Sequence, residues 1–220
     1  MIAGNRGRSW VALAVVLSIA FAILAHAAII EGVPPTVGAM LSLFPLGVVA
    51  AWTVRNSRHR DAVVAAMILG AAGLWLIWAQ LERHFTSLFF LEHAGANLVL
   101  GVMFGRTLAA GQEPLCTRFA RLIHGSLSAE VERYTRRVTL AWTVFFALVF
   151  TLSCALYLSR FLAAWSLFAN IISPLLILAM FVVEYAIRLR ALPDSERVGI
   201  LGGIQAFSRH FAAARVEAPR

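Results

Sequence analysis

Lysine is absent from this chain of 220 residues, so its positive charge rests on 19 arginines. Without lysine no phosphate loop can be assembled, and no Gly-rich dinucleotide fingerprint takes its place. Cysteine is scarce as well. Cys116 falls in a polar loop and Cys154 in a long apolar run, which excludes an intrachain disulfide and leaves no paired-cysteine metal site. Charged residues make up only 14% of the chain, too few to clothe a soluble domain of any size. These absences argue against an ordinary cofactor enzyme, and neither a cofactor nor a metal is expected.

What the chain has instead is apolar surface: 60% of its residues are hydrophobic. They gather into six runs, at 10–30, 36–54, 62–80, 87–105, 140–158 and 165–187. Each run is about 20 residues, enough helix to cross a hydrocarbon core of about 30 Å. The fold class is therefore all-α: a polytopic membrane helix bundle with six transmembrane helices plus amphipathic interfacial helices, forming a single integral membrane domain over residues 1–220. Placing the N-terminus in the cytoplasm leaves only Arg83 and Arg160 on the far side, so 17 of the 19 arginines are cytoplasmic. That asymmetry is the positive-inside pattern and makes both termini cytoplasmic. It also accounts for the net charge of +8 without nucleic acid, since the arginines lie beside span ends where anionic lipids attract them.

Trp10, Trp52 and Trp142 fall near cytoplasmic span ends and Trp75, Trp78 and Trp165 near outer ones, where interfacial belts are expected. Ala25, His26 and Ala27 resemble a signal-peptide cleavage pattern, but the preceding run exceeds the roughly 7–15 apolar residues such signals use, so it is read as a span. Pro45 and Pro174 each remove an intrahelical donor and should kink their helices.

The only sizeable connection is a cytoplasmic arginine-rich loop at 106–139. Pro114 opens one helical piece, with Leu115, Phe119, Leu122 and Ile123 on one face and Arg118, Arg121 and His124 on the other, until Gly125 stops it. A second begins near Ser128, a plausible N-cap followed by Glu130 and Glu132, and carries Arg133, Arg136 and Arg137 into the fifth span. Arg118, Arg121, Arg133, Arg136 and Arg137 are candidate contacts for membrane lipids or for soluble pathway enzymes. After the sixth span, Glu184 and Arg188 form a helical pair, and residues 190–220 read as a cytoplasmic amphipathic tail.

Within the spans the fourth stands out. Glu92 and His93 lie about two turns inside it, where an ionisable group costs at least about 2.5 kcal/mol. His93, Asn97, Gly101 and Gly105 recur every four residues, a polar stripe continued by a small-residue seam against which another helix should pack. His26, Gln80, Glu82, His84, Ser153, Asn170 and Ser173 are expected at the same depth, which outlines a polar pocket in the outer half of the bundle. The pocket is either mutual glue between helices or a site for substrate, with Glu92 and His93 the candidate acid and base.

Phe104–Leu108, the segment Glu113-Pro-Leu-Cys-Thr-Arg-Phe-Ala-Arg121, His124 with Gly125, and Tyr134-Thr-Arg-Arg-Val-Thr-Leu-Ala-Trp142 carry a resemblance. Over the second half of the chain they resemble an uncharacterised family of bacterial inner-membrane proteins that accompanies clusters for aryl-polyene or xanthomonadin-type pigments. The resemblance places Arg106, Glu113, Arg118, Arg121, Arg136 and Arg137 in the family's cytoplasmic motif and implies a pathway rather than a reaction. The expectation is an accessory protein of polyene-lipid biosynthesis or export, more a holder or dock than a catalyst. A small transporter or flippase using the outer pocket, and a membrane-embedded acyl or glycosyl transferase, are the alternatives.

Overall fold

The computed structural model describes residues 3–30 and 33–191, with side chains from Val15 onward except at position 124. The side chains of Arg6, Arg8 and Trp10, and all but the first two residues of the 190–220 tail, lie outside the described residues. Among the described residues all regular structure is helical: α1 (Ala3–Ile30), α2 (Pro35–Asn56), α3 (Arg60–Leu76), α4 (Trp78–Arg83), α5 (Phe85–Arg106), α6 (Leu115–His124), α7 (Ala129–Leu158), α8 (Leu162–Leu167), a π-helical turn (Phe168–Ile172) and α9 (Ser173–Ala191).

Among the described residues, four stretches are long and apolar enough to cross a membrane: α2, α5, α7 and the continuous Leu162–Ala191. At about 1.5 Å per residue even the 22-residue helices reach the thickness of a bilayer core. Large apolar side chains point outward along them, Val99 at 64% and Leu148 at 65% exposure among them, a surface that suits lipid and not water. The six-span expectation is not met in full. The run at 62–80 is not one helix: α3 ends at Leu76, Ile77 leaves helical geometry at φ −103° and ψ 13°, and α4 follows. The physical reason lies beyond the break, where Glu82 accepts hydrogen bonds from Thr36 (2.7 Å) and Trp78 (2.8 Å) while Leu81 is buried. Helix α1 runs over Ala3–Ile30, and its described side chains, from Val15 on, are part of an apolar helix.

The residues group into two compact units: residues up to Gly95 with Leu152–Pro174, and Ala96–Thr151 with the described residues from Leu175. In the first, α1 packs on α2, α8 and the π-turn. Ala25 and Ala28 are fully buried, small enough for close approach. Gly38 is required by the ring of Phe85, which a Cβ would meet at 2.6 Å. The kink expected at Pro174 takes the form of the π-turn. Proline cannot donate to the Asn170 carbonyl, and the helix widens so that the Ser173 N–H reaches the Phe168 carbonyl. This winding turns Trp165, Ser166, Phe168, Ala169 and Ser173 inward together.

In the second unit, Trp142 packs on Phe146 (ring centroids 5.4 Å) and Phe181 (4.8 Å). Trp142 and Trp165 are 6% and 0% exposed, so the interfacial-belt reading does not hold for either; Trp52 and Trp75 are outward. Proximity to a span end does not decide whether a neighbouring helix covers the ring.

Helix α6 starts at Leu115, with Pro114 as its N-cap, and stops where Gly125 takes φ +77°. The apolar face of Leu115, Phe119, Leu122 and Ile123 is covered by protein only in part. Leu115 and Thr117 are buried, whereas Phe119 and Leu122 face outward. Hydroxyls dock it. The Leu115 and Cys116 amides, unpaired first-turn donors of α6, donate to Thr107 (3.0 Å) and Thr139 (3.2 Å), and Thr117 pairs with Thr135 at 2.7 Å. Thr135, Thr139 and Thr143 form a ladder on α7, each donating to the carbonyl four residues back, which leaves lone pairs for α6. Replacing Thr139 with Val keeps the shape but strands the Cys116 amide, a loss of about 1–2 kcal/mol. Burial pushes the Cys116 thiol up, so it should alkylate slowly. Thermal unfolding in detergent reads the Thr139→Val loss, and an unchanged unfolding temperature would show that the bond from the Cys116 amide to Thr139 does not hold α6 down.

Candidate functional site

Two serines organise the polar side chains of the first unit. Ser153, on α7 and fully buried, receives the Trp165 indole N–H at 3.0 Å and lies 3.0 Å from His93 Nδ1. Indole can only donate, so Ser153 is the acceptor there and its own proton is available to His93. Ser166, on α8 and equally buried, repeats the pattern: Asn170 Nδ2 donates to it at 3.2 Å and His26 Nδ1 lies at 2.9 Å. Aromatic rings seal this region, with Phe90 stacked on Tyr157 at 4.1 Å, the edge of Tyr157 on Trp165 at 5.4 Å, and His93 edge-on to Phe168 at 5.9 Å.

The structure thus ties His26 and Asn170 to one serine and His93 to the other, rather than gathering the expected residues around one point. Ser173 is buried just after the π-turn. Gln80 is exposed on α4, where its carbonyl accepts the His84 N–H at 3.0 Å. Glu92 is half-buried and makes no ion pair among the described residues. As helix neighbours, Glu92 and His93 project about 100° apart. Asn97 is buried in the second unit, on the stripe whose glycines meet α7: a Cβ at Gly101 would lie 3.5 Å from Phe146 and one at Gly105 3.2 Å from Thr143. Sequence reasoning missed Ser166, Tyr157 and the inward role of Trp165. The Ser166–Asn170 spacing of four residues was the one available signal. Among the described residues, no three His, Cys, Asp or Glu side chains come together as a metal site.

The second unit holds a different arrangement. Arg121 bridges two carboxylates, Glu113 at 2.8 Å and Glu132 at 2.7 Å, with Arg118 at 4.0 Å from Glu113. Arg133, Arg136 and Arg137 have no carboxylate partner among the described residues. Arg133 donates Nε–H to the Ala129 carbonyl (3.3 Å) and Arg136 one Nη2–H to that of Leu108 (3.1 Å), which fixes both guanidinium groups while leaving most of their donors open. With Leu108 and Leu140 these three arginines line a cleft of about 340 Å³. A cleft with two apolar side chains and three uncompensated cations can take an anionic amphiphile, whose phosphate or carboxylate would receive charge-assisted hydrogen bonds. A search for relatives returned no matching family model, no similar characterised protein and no similar solved structure.

Proposed function

We propose that this chain is a multi-pass inner-membrane accessory protein that holds a lipid-linked product of polyene-lipid biosynthesis or export through a phosphate or carboxylate on that product. In this reading α1 and the α3–α4 pair complete six spans, both termini are cytoplasmic, and the arginine loop faces the cytoplasm. Seventeen arginines against two support that orientation. The pathway rests on the resemblance in the loop. The observation that carries the holding role is the cleft of Arg133, Arg136, Arg137, Leu108 and Leu140, where three cations without carboxylate partners meet apolar side chains. The polar groups of the first unit support the same choice from the other side. His26, His93, Asn170 and Trp165 all spend hydrogen bonds on two fully buried serines, as helix glue does.

The test is a deletion strain complemented with variants and scored by its extracted-lipid profile. Replacing Arg133, Arg136 and Arg137 together by Gln should leave protein level and insertion unchanged, because the other arginines still set topology, and lower the product roughly tenfold or more through lost charged hydrogen bonds. Normal product from that triple variant would overturn the holding role. Loss of product on Glu92→Gln with His93→Gln, at normal protein level, would instead favour the transferase reading.

A further inference from the structure

A second cleft, of about 620 Å³, adjoins the one described and shares Arg133 and Arg136 with it. Its chemistry differs. Gln112, Glu113, Thr117 and Glu132 line it in place of leucines. Its charge is also divided. On the wall common to both clefts stand two arginines without carboxylate partners, whereas elsewhere Glu113 and Glu132 each give one oxygen to Arg121, and Arg118 is 4.0 Å from the second oxygen of Glu113. Arg118 does not line the cleft. Guanidinium donors on one side and carboxylate acceptors on the other complement a zwitterion.

Building on the holding role above, we propose that the bound lipid is a phosphodiester with a primary-ammonium headgroup, of the phosphoethanolamine type. Its chain lies along Leu108 and Leu140, its phosphate sits at the shared wall of Arg133 and Arg136, and its ammonium reaches the carboxylates of Glu113 and Glu132. A phosphate has no donors and needs guanidinium, while an ammonium has three donors and no acceptor and needs carboxylate. The two clefts supply these in the order in which such a headgroup presents them. An anionic glycerol headgroup would satisfy the first cleft and bring no ammonium to the carboxylates.

The full chain, purified in detergent, is offered phosphatidylethanolamine, phosphatidylcholine, phosphatidylglycerol and phosphatidic acid of matched acyl chains, and retained lipid per protein is quantified. Phosphatidylethanolamine should be retained roughly tenfold over phosphatidylcholine and phosphatidylglycerol, the order expected of one charge-assisted hydrogen bond. Phosphatidylcholine, which keeps the positive charge but has no N–H, tests the carboxylate contact with the unaltered protein. Glu113→Gln with Glu132→Gln should abolish the preference while leaving phosphatidylglycerol and phosphatidic acid retention intact, and Arg133→Gln with Arg136→Gln should lose all four lipids. Equal or tighter retention of phosphatidylglycerol or phosphatidic acid by the unaltered protein would overturn the headgroup assignment but not the holding role. Retention of none of the four would likewise overturn the headgroup assignment, while the holding role falls only with normal product from the triple-arginine variant above.

Discussion

Replacing Trp165 with alanine is expected to be the most damaging single truncation in the first unit. The side chain is fully buried, touches the rings of Phe90 and Tyr157, and donates to Ser153. Large-to-small changes of this kind cost about 3–5 kcal/mol in water-soluble cores. In a bilayer the alternative environment of the ring is lipid, so part of the transfer gain is absent and packing dominates, which places the expectation near the lower end, about 3 kcal/mol. Trp165→Phe separates the two contributions. It retains most of the packing and loses only the indole donor, so it should cost about 1 kcal/mol. Thermal unfolding in detergent or nanodiscs reads both. If the alanine variant unfolded like the wild type, Trp165 would be an interfacial anchor after all.

What could be read in advance divides along the line between local and tertiary causes. The start of α7 beside Ser128 and the stop of α6 at Gly125 follow from caps and backbone freedom, which a few neighbouring residues settle; the Ser128 hydroxyl indeed accepts the Val131 N–H, at 3.4 Å. The crossing helices follow from run length, and Glu184 with Arg188 pair as their spacing suggests, at 2.7 Å. The break at Ile77 has no proline or glycine at that position to announce it. It depends on Thr36 meeting Glu82, 46 residues apart in the chain. The same holds for α6, whose first amides are satisfied by Thr107 and Thr139 and not by a neighbouring cap. Apolar periodicity marks the amphipathic faces of α6 but not which side the protein covers, because hydroxyls on α7 decide that. The candidate site was legible as a set of residue types. Its partition between two serines was not, since that depends on the π-turn that presents Trp165 and Ser166 on the buried side together.

The seam along α5 carries the second large expectation. At Gly101 a Cβ would stand 3.5 Å from Phe146 and 3.8 Å from the Ala147 backbone nitrogen, which is ordinary contact, so Gly101→Ala should be tolerated. The added methyl even brings about 1 kcal/mol of helix propensity. Leucine at the same position has nowhere to place its outer carbons except against the α7 backbone, which cannot move aside as a side chain could. Gly101→Leu should therefore cost about 3 kcal/mol, the upper end of what overpacking exacts, through forced separation of α5 from α7. Gly105→Ala lies between, because its Cβ would meet the Thr143 methyl at 3.2 Å and that side chain is itself tied to the Thr139 carbonyl. Gly47→Leu and Gly70→Leu serve as controls, since nothing stands within 4 Å of a Cβ at either position and both should be neutral or slightly stabilising. Unfolding temperatures ranked with Gly101→Leu lowest, Gly105→Ala next, and Gly101→Ala with the controls at wild-type level would show that close approach of α5 to α7 holds this unit. A Gly101→Leu variant as stable as the controls would mean that the stripe faces lipid, and that the polar residue above it, Asn97, is kept for a reason other than helix packing.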